Sequence, residues 1–536
     1  MTHVVVVGSG ASGVHFALTA LERGHDVTMV DVGLERPAPV EPGASIEGMK
    51  DRLADPAAWF LGEDGRNVVY PATKASYYGF PPSKEYVFKT PGAFRSRAEQ
   101  MVPVFSFAQG GLAEAWTGGA YAFGPTDLAE FPFGYDDIAP YYAQVAERIG
   151  VGAEPDDLAQ FIPCDAPYLP PLPFDPHSAH LVARYQRVRP ALQQDLGFFL
   201  GRSRVATLSR GHRGRQGCGQ LGRCFWGCPN ESLYTPSYTL RELRQHPRFT
   251  YKPGLLATHL EQDAGARITA VVARPVDGGD PVRVQGEAFA LAAGALPSSA
   301  LVLATHHAHS GEVASLEGLM DNRQVHVPFL TPAMMGKEVR TASYQFHLLA
   351  FGLTERDPAE YVHAQITTLK AAAVHPIVQG LPLDLAGSLG IFRALRTGLA
   401  LANVNFHDRR RAESRVTIVP RPDGPAELRI SYVDDPQEEA LVARTLGRVK
   451  KALGRLGCVV PPGMTRVLPK GTSVHYSGTL PMTRSDGGRF SCTPEGRLRG
   501  WSNLYVADGA GFSFLPAKNL TFTLMANASR IATALA

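Results

Sequence analysis

The sequence predicts a chain of mixed α/β and α+β class, in which a Rossmann-like dinucleotide-binding domain is interleaved with a substrate domain built on an antiparallel sheet. Three observations predict it: a βαβ opening with a glycine fingerprint over residues 4–31, a series of strand-like segments from Phe249 that ends in a second glycine turn at Gly294, and a strand followed by a helix after Asn503. The expected division is discontinuous. Residues 1–150, 249–310 and 466–536 form the nucleotide domain, and 151–248 and 311–465 form the substrate-binding cap.

Composition sets the outer limits. Of 536 residues 44% are apolar and 19% charged, enough material for a large core, which excludes disorder as the main state. Fifty-three Lys and Arg against 50 Asp and Glu leave a net charge of +3. No cationic excess remains to neutralise a run of phosphates, so nucleic acid is excluded as the main partner. No uninterrupted apolar run reaches the roughly 18 residues that a membrane span needs. The strand-like run at Val4 takes the place of a cationic and apolar leader, so the expectation is a cytoplasmic protein.

The opening element is Val4-Val5-Val6-Val7, a buried-strand signature, followed at once by Gly8-Ser9-Gly10-Ala11-Ser12-Gly13. Val14, Ala17, Leu18 and Leu21 then recur at helical spacing, and Val27 to Val30 form a second strand ending in Asp31. A lone GxGxxG carries little information; this one follows a strand, opens a helix and has an acidic residue about 20 positions on. Gly8 permits the tight turn, Gly10 lets the backbone approach a pyrophosphate, and Gly13 allows close helix–strand packing. The helix N-terminus supplies free N–H groups, and Asp31 an acceptor for ribose hydroxyls.

Residues 36–105 lack clean periodicity and are expected to be irregular loops. The stretch Gly110-Gly111-Leu112-Ala113-Glu114-Ala115-Trp116-Thr117-Gly118-Gly119 has four glycines, which suits backbone laid against a flat ligand or a tight loop crossing. A helix is expected from about Pro140 to Val151. From Phe249 onward, segments 249–251, 255–260 and 268–272 suggest a meander of strands. It closes with Ala288 to Ala292, a buried strand running into Ala293-Gly294. Ser414–Val419 and Glu427–Tyr432 are strand-like, Pro436–Leu456 is helix-like, Arg409-Arg410-Arg411 is expected to be a solvated run, and the apolar stretch Leu381–Leu401 a core helix.

The last segments are the most specific: Val474-His475-Tyr476-Ser477-Gly478-Thr479, the strand Asn503-Leu504-Tyr505-Val506-Ala507-Asp508-Gly509, and Lys518-Asn519-Leu520-Thr521 entering a final helix. With these the chain resembles the glucose-methanol-choline (GMC) family of FAD-dependent oxidoreductases. The matches run in order over nearly the whole length: the fingerprint, the glycine loop at 110–119, the Pro-Tyr-Tyr segment at 140–142, the turn at 291–296, HxxGT at 475–479 and the last helix. The resemblance implies FAD held by Gly8, Gly10, Ala11, Ser12, Gly13 and Asp31 at its adenosine half. Gly110, Gly111 and Trp116 would lie along the isoalloxazine. Ala293, Gly294, Asp508, Gly509, Asn519, Leu520 and Thr521 would lie near the ribityl chain and ring. It also implies His475 and Asn519 as the active-site pair. Two departures matter. Leu520 stands where the family usually has proline, and Ala115 where some sugar-oxidising members carry a flavin-linked histidine, so noncovalent FAD is expected.

The chemistry follows from the residue types. Oxidising an alcohol to a carbonyl needs a base for the hydroxyl proton while hydride leaves for flavin N5, and imidazole titrates in the right range. His475 is the expected base, with Asn519 orienting the same oxygen. The expected substrate is a small-molecule alcohol, such as a sugar, a polyol or a natural-product hydroxyl. The electron acceptor could be oxygen, a quinone or an electron-transfer protein. Two readings keep the flavin without redox turnover: a GMC-fold lyase and a noncatalytic flavoprotein subunit.

Three of the six cysteines crowd together as Cys218-x5-Cys224-x3-Cys228 in a glycine-rich loop. Three thiolates suit an iron–sulfur cluster or, with a fourth ligand, zinc. The spacing resembles the 3Fe-4S loop of multisubunit GMC dehydrogenases; relatives without a cluster carry a similar stretch as ordinary loop, and both readings stand on sequence.

Overall fold

The structure is a computed structural model that describes every residue except 38, 39, 42, 63, 64, 66, 67, 72–78, 370–377, 379, 380, 422, 423 and 536. Residues 76–105 and 310–400 therefore lie partly outside the described residues.

The valine run at the N-terminus becomes the central strand, His3–Val7, of a five-stranded parallel sheet. The strand order is Leu504–Val506, Ala288–Leu291, His3–Val7, Asp26–Val30, Phe249–Lys252. Val4 to Val7 pair with Val27 to Val30 on one side and with Ala288 to Leu291 on the other. A strand flanked on both sides and covered on both faces has no polar edge, which is why it can be four valines, each at most 4% exposed. Full burial of each such side chain is worth roughly 1.5–3 kcal/mol. Helices Ala11–Glu22 and Thr521–Thr533 pack against each other on this sheet, so the first and last elements share one core.

Phe249–Lys252 was expected in the meander; it instead pairs in parallel with Asp26–Val30 at the sheet edge. The antiparallel meander is a separate three-stranded sheet, Leu255–Gln262, Ile268–Pro275 and Val282–Gln285. Periodicity marks strands but carries no information on which sheet an edge strand joins.

The second large sheet is six-stranded and antiparallel, in the order Arg466–Val467, Gln324–Leu330, Leu399–Asn405, Val362–Thr368, Leu349–Leu353, Phe198–Arg202. Its two faces differ sharply. Val325, Val327, Phe329, Ala402, Val404, Ala364, Ile366, Leu349 and Phe351 join one core with helices Pro176–Leu196 and Glu438–Arg455. The alternate residues give cross-strand polar rows: His326–Asn403–Gln365 and Gln324–Asn405–His363. Apart from the half-buried Asn403 those side chains are buried as well, so this face is a polar interior surface.

Two further expectations are corrected. The helix placed at Pro140 spans Tyr135–Ile149, because the Asp137 carboxylate accepts the Gly134 N–H at 2.8 Å and starts it five residues earlier. The Leu381–Leu401 stretch is not a core helix: a helix covers only Leu385–Leu395, Leu385 is 69% exposed, and Leu399 already belongs to the six-stranded sheet. The apolar face of that sheet is covered by other helices, so no core was left for this one. Strands Arg415–Val419 and Glu427–Ser431 pair with Ser315–Glu317 and Ser96–Glu99, and Val416, Ile418, Leu428 and Ile430 pack in the same core as Phe289 and Leu291. The arginine run is solvated at Arg409 and Arg410 as expected, and it is also anchored: Arg411 pairs with buried Asp408 at 2.8 Å, and Arg410 Nε donates to Gly478 O at 2.8 Å.

Candidate active site

A long cavity runs along the C-terminal end of the parallel sheet. Its walls include Gly8 to Ser12, Asp31, Gly111, Ala293 to Pro297, Asp508, Gly509, Leu520 and Thr521. Three helices open onto it, at Ala11, Ala295 and Thr521, and none has a side-chain cap. Their first-turn N–H groups are therefore free to meet an anionic ligand, and the three dipoles point positive ends at one space. This arrangement fits a dinucleotide with a ring that gathers negative charge.

The glycines show why the cavity has this shape. Gly8 has φ +102°, and a Cβ there would lie 2.6 Å from Ala292 O; a Cβ at Gly13 would lie 2.0 Å from Gly8 O. A Cβ at Gly10 would meet no protein atom within 4 Å, so its Cα faces open space. The loop at 110–119 docks on this turn: Gly110 N donates to Ser9 Oγ at 3.0 Å, and Gly111 lies against Gly10. Ser9 Oγ in turn donates to Asp31, which also accepts from Tyr251 Oη at 3.0 Å. Burial pushes the Asp31 carboxyl up to about 6. Asp508 rises to about 6 for the same reason. It accepts from Gly294 N at 2.9 Å, Ser298 Oγ at 2.5 Å and Ala510 N at 3.0 Å, locking two cavity walls together.

Of the residues expected at the cofactor, Trp116 departs furthest from the long cavity. Its Nε1 donates to Tyr234 O at 2.7 Å, and its ring lines a second cavity beside Cys224 and Cys228. The segment 111–116 is the partition: Gly111 to Ala113 face the long cavity, Glu114 to Trp116 the second.

Neither His475 nor Asn519 lines the long cavity itself, but wall residues adjoin both in sequence, Val474 and Tyr476 on either side of His475 and Leu520 after Asn519. His475 is 6% exposed; its Nδ1 is 2.9 Å from Asn322 Oδ1, and its backbone N–H donates to Ser473 Oγ at 2.9 Å. Burial alone lowers the imidazole to about 4, so the ring is neutral at neutral pH. The preceding Val474 has φ +56°, a left-handed conformation that costs a β-branched residue of order 1–3 kcal/mol. The turn that imposes it is held by buried Asp321, which accepts from Gly471 N at 2.7 Å and from Ser473 Oγ. Asn519 Oδ1 accepts from Gln365 Nε2 at 2.5 Å, which leaves its NH2 to donate. Leu520, not Asn519, caps the last helix; its side chain is 4% exposed and fills the place of the expected proline. The loop is pinned just upstream by Lys518, which pairs with buried Asp127 and donates to Phe161 O at 2.5 Å.

Sequence reading missed Asn322, Gln365, Asp321 and Asp127. Each lies at least 150 residues from the partner it positions or on an unrelated strand, and only Lys518, next to Asn519, carried a local signal.

The three cysteines pack against Leu172, Val205, Leu233, Tyr344, Phe346 and Leu348. Cys228 Sγ accepts from Ser232 N at 3.3 Å, and burial raises the Cys218 thiol. Among the described residues no group of three His, Cys, Asp or Glu side chains could hold a metal. The loop as folded does not fit a cluster.

Comparison with known proteins agrees with this layout. The sequence profile of the GMC oxidoreductases matches residues 410–528, the segment that carries His475, Asp508 and Asn519. That C-terminal segment is similar to the GMC oxidoreductases. Two relatives match over almost the full length: 6'''-hydroxyparomomycin C oxidase of Streptomyces lividus and paromamine 6'-oxidase of Streptomyces fradiae. Each is 24% identical and aligned over 99% of this chain and 91% of its own. Pyridoxine 4-oxidase from Mesorbium loti shares the fold, with a TM-score of 0.61 at 15% identity over 99% of both chains. GMC oxidoreductases use FAD, and the long cavity with its three uncapped helix starts is the place in this chain that fits it. No described helix is long and apolar enough to cross a membrane.

Proposed function

We propose that this GMC enzyme oxidises a hydroxyl of a sugar-like natural product to a carbonyl, with His475 as base and Asn519 as orienting donor. The observation that carries the reading is the opposed polarity of the pair: the His475 ring is neutral and turns Nδ1 to an acceptor, while Asn519 presents its NH2 because Gln365 occupies its oxygen. FAD, when bound, supplies the hydride acceptor. His475 Nε2 takes the hydroxyl proton, and Asn519 Nδ2 donates to the oxygen on which charge develops. The uncapped start of the Thr521–Thr533 helix favours negative charge at that end of the cavity. Val474, Tyr476 and Leu520 wall the space against water. Ala115 carries no nucleophile and lines the second cavity rather than the long one, which supports noncovalent binding.

The full-length similarity to two oxidases named for paromamine and hydroxyparomomycin supports an amino sugar or related glycoside as substrate. The test is anaerobic addition of aminoglycosides, simple glycosides and polyols to the FAD-loaded protein. Loss of absorbance near 450 nm with one substrate class, abolished in a His475→Ala variant that keeps its flavin, supports the reading. Substrate cleavage without bleaching would make it a lyase, and flavin retained with no response to any hydroxyl compound would make it a binding subunit. Iron analysis of the same anaerobic preparation tests the cysteine loop; stoichiometric iron with sulfide would overturn the statement that it does not fit a cluster.

A further inference from the structure

Asn322 lies just beyond the strand Met320–Asp321, which pairs antiparallel with Tyr476–Ser477, and it is 1% exposed. Its Nδ2 donates to two backbone carbonyls, Phe406 O at 2.6 Å and Pro516 O at 3.0 Å. Those two contacts decide which way the amide faces. Reversed, its oxygen would sit against two carbonyl oxygens in a buried site, three lone-pair-bearing atoms with no proton between them. The oxygen therefore faces His475 Nδ1, 2.9 Å away, and a carboxamide oxygen can only accept. Nδ1 must carry the ring proton, and Nε2 the lone pair.

We infer that Asn322 is a positioning residue that holds His475 in the Nδ1–H tautomer and so makes Nε2 the proton acceptor; this rests on the assignment of His475 as base. The same amide reaches across the site. Through Pro516 it ties the His475 strand to the segment that continues into Lys518 and Asn519, so one buried side chain sets the tautomer of the first residue and braces the loop of the second. A neutral acceptor suits this role better than a carboxylate, which would stabilise the imidazolium and hold the base protonated at higher pH. The charged or titratable groups on the elements around the ring are already engaged elsewhere. Asp321 holds Ser473 and Gly471, Lys470 donates to Glu438 and Asp321 O, and Asp408 accepts from Asp321 N. Tyr476 Oη donates to Gly471 O, and Lys518 is paired with Asp127.

The test begins with 15N-histidine NMR of the FAD-loaded wild type, the His475 signals being identified by their loss in His475→Gln. Signals of a neutral ring protonated at Nδ1 are expected; a ring protonated at Nε2 would overturn the inference without any change at Asn322. The second arm uses variants. Asn322→Leu is expected to lower kcat roughly 10–100-fold with FAD retained and KM little changed. Asn322→Asp is expected to move the acidic limb of the kcat/KM profile to higher pH by a unit or more. Full activity and an unmoved limb in both variants would overturn it. Full activity in His475→Ala would instead remove the base assignment, leaving the tautomer measured by NMR as the surviving fact.

Discussion

Gln365 and Asn519, on a strand of the antiparallel sheet and a loop of the nucleotide-binding half, are joined by a 2.5 Å hydrogen bond from Nε2 to Oδ1. In the proposed reaction the bond makes the antiparallel sheet a partner in the chemistry, because it leaves the Asn519 NH2 rather than its oxygen to face the substrate.

Replacing Gln365 with Leu frees Asn519 to turn. Loss of a hydrogen bond that orients a donor corresponds to about 1.5–3 kcal/mol, so kcat/KM is expected to fall roughly 10–100-fold with flavin content unchanged. Gln365→Glu is expected to cost at least as much, since a carboxylate accepts from the Asn519 NH2 and turns its oxygen to the substrate. Steady-state kinetics on the two FAD-loaded variants checks this.

The buried His475 gives a signed pH dependence. Its ring is held at about 4 in the folded chain against 6.5 when free. Activity that needs the neutral ring is expected to be flat above pH 6 and to fall only as pH drops through about 4. Stability moves in the same direction: between about 4 and 6.5 the unfolded chain binds a proton that the folded chain does not, so His475 costs stability as pH falls through that window. Asp31, Asp321 and Asp508, all raised to about 6, oppose this, because they bind protons in the folded state first. Urea unfolding of wild type against His475→Gln at pH 4.5 and 7 isolates the histidine; the variant should lose less stability on acidification.

Gly10 and Gly13 are expected to separate binding from folding. Gly13→Ala places a methyl 2.0 Å from Gly8 O and must displace the turn, costing about 1–3 kcal/mol and FAD binding together. Gly10→Ala meets no protein atom within 4 Å, so its melting temperature without FAD should match wild type while FAD affinity drops about tenfold or more. Thermal melts with and without FAD, and flavin titration, distinguish the two.

Lys518 is 2% and Asp127 8% exposed at the side chain. Lys518→Met strands a buried carboxylate and is expected to cost about 3–5 kcal/mol. Adding Asp127→Asn removes the stranded charge and keeps an acceptor for Gly124 N, so the double variant should recover much of that loss. Denaturant midpoints of the single and double variants measure it.

The sequence by itself determined the βαβ opening and the strands of the parallel core, and it singled out His475 and Asn519 as the proposed active-site pair. Each of these is written in a contiguous segment, where glycine spacing and alternation act over neighbouring residues. Tertiary structure decided the rest. Phe249–Lys252 joins the parallel sheet, and Leu385–Leu395 stays at the surface because other helices already cover the sheet. Asn322 and Gln365 take their roles from hydrogen bonds that close only when segments more than 150 residues apart are packed together. A local pattern can declare that a histidine is present. Which of its nitrogens holds the proton is set by a buried neighbour whose position exists only in the folded chain.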